Sequence, residues 1–182
     1  MEMENLLHVF TRTDETKKIR ESQNGLKFRT ICKECNEFLG QKYDPVVNEF
    51  ALSVGRYLKS DFKFPEIIHH KTKPLRLIKG IIGHLIAAKA EYDDVVLDTQ
   101  VRGFILDENS LVPDNIYIFY WLYPYDCTII LRDFGMPSVR GNFKSLGFFQ
   151  TLKYFPIAYL VSDNPRYEGL LELTKYRSLQ ID

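Results

Sequence analysis

The sequence is poor in cysteine, tryptophan and net charge. Three cysteines and one tryptophan occur in 182 residues, and 24 Lys and Arg balance 24 Asp and Glu. An odd cysteine count, with Cys32 and Cys35 close together and Cys127 far away, does not make the framework of a small secreted disulfide domain. A protein that lives by gripping phosphate backbone draws its affinity from counterion release and is usually basic, so zero net charge argues against that class as the default. No apolar run reaches the ~18 residues that suggest a membrane span. The segment MEMENLLHVF is acidic where a signal peptide is basic. A cytoplasmic chain that makes no membrane contact is therefore expected. The P-loop, the dinucleotide fingerprint and the nucleophile elbow are all missing. So is any internal repeat. Asp93, Asp94, Asp98, Asp107 and Glu108 are scattered, with no paired spacing that names a carboxylate site.

Core-forming residues are plentiful. Hydrophobic content is 45%, and Phe and Tyr supply 24 of the 25 aromatics, enough for one domain or one domain with a small appendage. Short strands are expected at 6–12 and 26–31, separated by a polar stretch that ends on Asn24-Gly25. Residues 32–35 read as a turn, followed by a helix that Gly40 stops. Asp44 and Pro45 open a second helix. Residues 59–74 read as a linker and hold the boundary between two units, 1–62 and 63–182, packed together. Leu75, Ile78, Ile82, Leu85 and Ile86 share one face of a helix over 74–90, and a further helix covers 94–106. The run NIYIFYWLYPYDCTIILRDF predicts a β-hairpin broken at Tyr125-Asp126. Within it, Tyr117, Phe119 and Trp121 form one buried face. One or two more strands bend at Pro156, and a short helix closes the chain within 167–179. This order is α+β, with a helical middle and a C-terminal antiparallel sheet.

Cys32 and Cys35 are the strongest chemical signal. Cys-x-x-Cys on a turn places two thiolates on one zinc ion. A structural site needs four ligands, so the remaining pair would come from His69, His70 or His8; the alternative is two thiols packed as small apolar groups. His69 and His70 are adjacent, and on an extended segment they point to opposite sides, which fits a solvated pair. His84, on an apolar helix, reads as a satisfied core residue. Arg12, Lys17, Lys18, Arg20, Lys27, Arg29 and Lys33 make segment 12–33 mildly basic, a surface for phosphate or for a partner.

The segments HVFTR and NGLKFRTICKECNEFLGQKYDP together resemble the core of HNH-type (ββα-metal) endonuclease proteins from phages and bacterial defence loci. In that resemblance His8 matches the catalytic histidine, Cys32 and Cys35 the second zinc pair, Asn36 the residue after it, and Gly40 and Asp44 the downstream Gly and Asp. It implies a small ββα unit at the N-terminus. It also gives the site of an active enzyme: His8 as general base, with Asn24 and Asn36 near a Mg or Mn ion that neutralises the scissile phosphate. Leu7 and Thr11 stand where the family carries Glu and Pro. The family's first Cys-x-x-Cys would fall ahead of His8, where seven residues are present. The expectation is therefore a degenerate, non-catalytic binding protein on an HNH-like scaffold. It would inhibit a bacterial defence nuclease, in the anti-CRISPR manner, by docking on it or masking its nucleic-acid site. The alternatives are an active metal-dependent HNH DNA endonuclease and a nucleic-acid-binding module.

Overall fold

The computed structural model describes residues 30–60, 63, 65–88, 94, 96–137 and 146–178. The expected strands at 6–12 and over most of 26–31 lie outside the described residues, and the ββα unit with them.

Helix α1, Lys33–Lys42, starts where the 32–35 turn is expected. Cys32 is its N-cap, and the Cys32 sulfur accepts the N–H of Cys35 at 3.2 Å. The turn is thus the first turn of the helix itself. Gly40 does not stop it. The Tyr43 N–H still bonds the Leu39 carbonyl at 2.9 Å, so the helical pattern passes through the glycine. The chain bends only at Tyr43, and α2, Asp44–Leu58, starts at once with Pro45 in its first turn, where a missing N–H costs nothing.

Helix α3, Pro74–Ala87, is the centre of the molecule and is buried almost all round. Its two glycines allow this. A Cβ on Gly80 would lie 2.4 Å from the Val47 side chain, and one on Gly83 would lie 2.9 Å from that of Leu39. Bare backbone at these positions admits the α1–α2 elbow against α3. Helix α4, Val96–Leu106, packs beside it, and the buried Tyr43 hydroxyl donates to the Ile105 carbonyl at 2.7 Å. Lys79, buried on α3, donates to the carbonyls of Asp107 (2.5 Å) and Glu108 (3.1 Å) just past the end of α4. That is a cation supplied to a helix C-terminus by another helix.

The sheet has five antiparallel strands in the order β2-β3-β4-β1-β5: β1 Tyr117–Leu122, β2 Ile129–Pro137, β3 Leu146–Tyr154, β4 Ile157–Ser162 and β5 Leu171–Glu172. The expected hairpin between β1 and β2 is not formed. β1 pairs with β4 from Tyr117↔Ser162 to Leu122↔Ile157, and β2 pairs with β3. The tight hairpin is β3–β4, closed at Phe155–Pro156, a cis peptide bond. The Tyr123 N–H bonds the Pro156 carbonyl at 2.8 Å, and the chain then arcs over that turn to place β2 at the far edge. Burial explains the choice. All six residues of β4 are buried, so β4 needs a partner on each side, whereas an edge strand tolerates exposure. The short helix expected within 167–179 is replaced by β5 and a 3-10 turn at Thr174–Tyr176.

The helices cover one face of the sheet. One hydrophobic core joins Tyr43, Val47 and Val54 of the first segment to α3, α4 and the sheet residues Ile118, Leu152, Ile157, Tyr159 and Val161, and so runs across the expected boundary at 62. Phe119 and Leu160 are buried on the opposite face, with Tyr167 edge-on to Phe119 and Lys153 over Trp121. Of the three residues expected to form a buried face, only Phe119 is fully buried; Tyr117 and Trp121 are half-buried. The fold is α+β with a C-terminal antiparallel sheet. Among the described residues no helix is long and apolar enough to cross a membrane.

Candidate functional site

Among the described residues three polar clusters bear on the site, and the first holds the described part of the motif. Cys32 is exposed and Cys35 half-buried at the open end of α1. Cys35's thiol is pushed above its ordinary value, first by its hydrogen bond with Cys32, then by burial and by the charges of Cys32 and Glu34, with Arg102 opposing. A thiol held up in this way is not a ready thiolate. Asn36 follows on the helix, exposed, its N–H bonded to the Cys32 carbonyl at 3.0 Å. Two sulfurs fit half of a tetrahedral zinc site. Among the described residues no group of three or more His, Cys, Asp or Glu side chains is placed to hold a metal.

The far end of the motif is an anchor. Asp44 Oδ1 lies 3.0 Å from His84 Nε2, joining the start of α2 to the last turn of α3. Gly40 sits beneath the same carboxylate, 3.8 Å from Oδ2 to a Cβ built on it. Thr30 donates from its hydroxyl to the Ala87 carbonyl at the end of α3. His84 is therefore not the enclosed core residue expected: its side chain is 34% exposed, and it is held by a carboxylate from another helix. The ring of Tyr154 lies beside it, with centroids 6.3 Å apart. Burial pushes the Tyr154 and Tyr159 hydroxyls above their ordinary range, and neither has a hydrogen-bond partner within normal geometry.

The third cluster lies where β2 bulges between Leu131 and Phe134. Arg132 turns under the helices and donates to the Leu85 carbonyl at 2.5 Å and to Asp98 Oδ1 at 2.6 Å; the two side chains are 6% and 1% exposed. Asp133 takes the left-handed conformation, φ 52°, which only the bulge requires, and accepts from the Gln150 amide at 2.9 Å. This buried ion pair ties the edge strand to the end of α3 and the start of α4. Nothing in the sequence announces it, because the partners stand 34 residues apart on elements whose contact only the fold creates.

The remaining expected site residues divide simply. His8, Arg12, Lys17, Lys18, Arg20, Asn24, Lys27 and Arg29 lie outside the described residues. Lys33 is exposed and pairs with Glu37 at 3.7 Å. His69 is exposed, but His70 is not solvated as expected of the pair: it turns inward and packs on the Phe50 ring at 5.3 Å, the two histidines parting as adjacent residues on an extended segment do. Against this geometry, no protein-family model, no curated protein and no solved structure matches the chain.

Proposed function

We propose that the chain is a non-catalytic binding protein, which acts by docking on a bacterial defence nuclease or by masking that nuclease's nucleic-acid site. The anti-CRISPR kind of inhibitor is the class the HNH resemblance implies. One observation carries the reading: three of the described motif residues, Cys32, Gly40 and Asp44, serve the packing, while Asn36 stays exposed with no metal-binding group beside it among the described residues. Cys32 caps α1, Gly40 lies under the Asp44 carboxylate, and Asp44 is engaged by His84. Side chains that hold an elbow against a buried helix support a scaffold role better than a hydrolytic one. A cytoplasmic location belongs to the same proposal.

The test is a pull-down and inhibition assay with purified CRISPR effector nucleases and the full chain. The expected result is a stoichiometric complex that blocks target cleavage; failure to bind any effector removes the idea. The rival, an active HNH endonuclease, predicts DNA nicking with Mg²⁺ or Mn²⁺ that disappears in His8→Ala. Metal analysis runs alongside. Zinc, where the purified chain carries it, is assigned to Cys32 and Cys35 with the remaining donors drawn from His8, His69 or His70, and stoichiometric zinc together with cleavage reverses the ranking.

A further inference from the structure

We propose that Arg56, Lys59, Lys63, Lys71, Lys73 and Arg76, from the end of α2 and the segment leading into α3, form a surface that binds the phosphodiester backbone of a nucleic acid. The zero net charge of the chain hides an uneven distribution. Residues 56–76 hold six Lys and Arg against Asp61 and Glu66, a net +4, which leaves the rest of the chain at −4. Charges are screened beyond a Debye length of about 8–10 Å in ordinary buffers, so a bound polyanion responds to this local excess and not to the total.

The fold presents the charge outward. From Ile67 to Lys73, exposure alternates strictly. Ile68, His70 and Thr72 are half-buried, while Ile67, His69, Lys71 and Lys73 face solvent. Inward-facing His70, packed on Phe50, fixes the segment. Side chains two apart on an extended segment stand about 6.6 Å from one another on the same side. The pairs Asp44–His84 and Val47–Gly80 make α2 and α3 antiparallel. The last turn of α2, with Arg56, therefore reaches the end of the molecule where Lys73 and Arg76 begin α3. Arg56, Lys63, Lys71 and Lys73 enter no ion pair with any described residue, and Arg76 makes no direct pair although its charge reaches Glu108. Elsewhere among the described residues Lys33, Lys42, Arg102, Arg132 and Arg177 are matched to carboxylates, while Lys153, Arg166 and Lys175 stand singly and apart from this segment in sequence. Ile67, 69% exposed, and Tyr57, at the same end, add apolar surface for sugar or base.

The surface lies outside the basic segment 12–33 and stands whether or not a nuclease partner docks. The test is fluorescence anisotropy of the full chain with labelled single-stranded DNA, duplex DNA and single-stranded RNA across a salt series. The nucleic acid bound most tightly names the source of the phosphates. Wild type is expected to bind with a log–log salt slope of up to about −4 on duplex DNA, at ~0.9 per phosphate contacted. Combining Lys71→Gln, Lys73→Gln and Arg76→Gln is expected to flatten that slope by about 3 at an unchanged melting temperature. Lys71→Arg with Lys73→Arg is expected to keep it. Three results overturn the proposal: no binding at low salt, a slope unmoved by the triple variant, or equal retention on vesicles of phosphatidylserine. Loss of binding in Lys17→Gln, Lys18→Gln and Arg20→Gln with none in the triple variant overturns it as well.

Discussion

Arg132 shows how a single side chain can hold more structure than its neighbours in sequence imply. It carries a charge into the layer between helices and sheet, where Asp98 and the Leu85 carbonyl receive it. Removing one partner of such a pair leaves a buried uncompensated charge, at a cost of about 3–5 kcal/mol, while replacing both by apolar groups is often close to neutral. Arg132→Met is therefore expected to lower the unfolding free energy by about 3–5 kcal/mol in urea melts. Adding Asp98→Leu is expected to recover most of the loss. Tyr43 makes a second test. Its buried phenol is pushed up to about 12, chiefly by burial, while an unfolded phenol titrates near pH 10. The folded value lies above the unfolded one, so this stability is fully present below about pH 10 and is lost as pH rises toward 12. Tyr154 and Tyr159 shift in the same direction. Lys79 runs the other way: burial lowers it, so its contribution grows as pH rises toward the ordinary lysine range. Alkaline unfolding, read by phenolate absorbance together with circular dichroism, is expected to set in above pH ~10 and to be blunted in Tyr43→Phe.

At the scale of elements, α3 is the piece on which the others are assembled, and its glycines decide how closely they approach. Gly80→Ala gains up to about 1 kcal/mol of helix propensity, but its methyl meets Val47 at 2.4 Å, and overpacking of that kind costs about 1–3 kcal/mol. A net loss of stability is expected. Gly103 on α4 has no atom within 4 Å of the position its Cβ would take, so Gly103→Ala is expected to add about 0.5–1 kcal/mol. The two substitutions, compared by thermal melts, separate close approach from propensity. At the start of α1, a thiol is a weak hydrogen-bond acceptor and a poor cap. Cys32→Ser is expected to stabilise the chain by about 0.5–1 kcal/mol if capping is the residue's role. A fall in stability, accompanied by loss of zinc, would assign Cys32 to a metal instead.

At the scale of the whole molecule, charge and topology were legible in different ways. The helices at 44–58, 74–87 and 96–106 were visible in spacing and in Asp44-Pro45, because helical hydrogen bonds are local and a buried face repeats along the chain. The α+β class followed from the aromatic, β-branched second half. Strand pairing was not legible: β1 and β2 look like a hairpin, yet β3 and β4 stand between them. A strand's neighbours are chosen by which strand must be buried on both sides, and that is a property of the assembled sheet. The same holds for the polar clusters. The Cys-x-x-Cys segment named its own sulfurs, whereas Asp44–His84 and Asp98–Arg132 join residues 40 and 34 positions apart that carry no mutual signal. The sequence alone determined the three longer helices, how much core there is and that the charges sum to zero, since each of these depends on composition or near neighbours; the short helix expected within 167–179 was not among them. Only the tertiary structure decided strand order, the pairing of buried charges and the outward placement of Lys71 and Lys73, since those depend on distances that exist only once the chain has closed on itself.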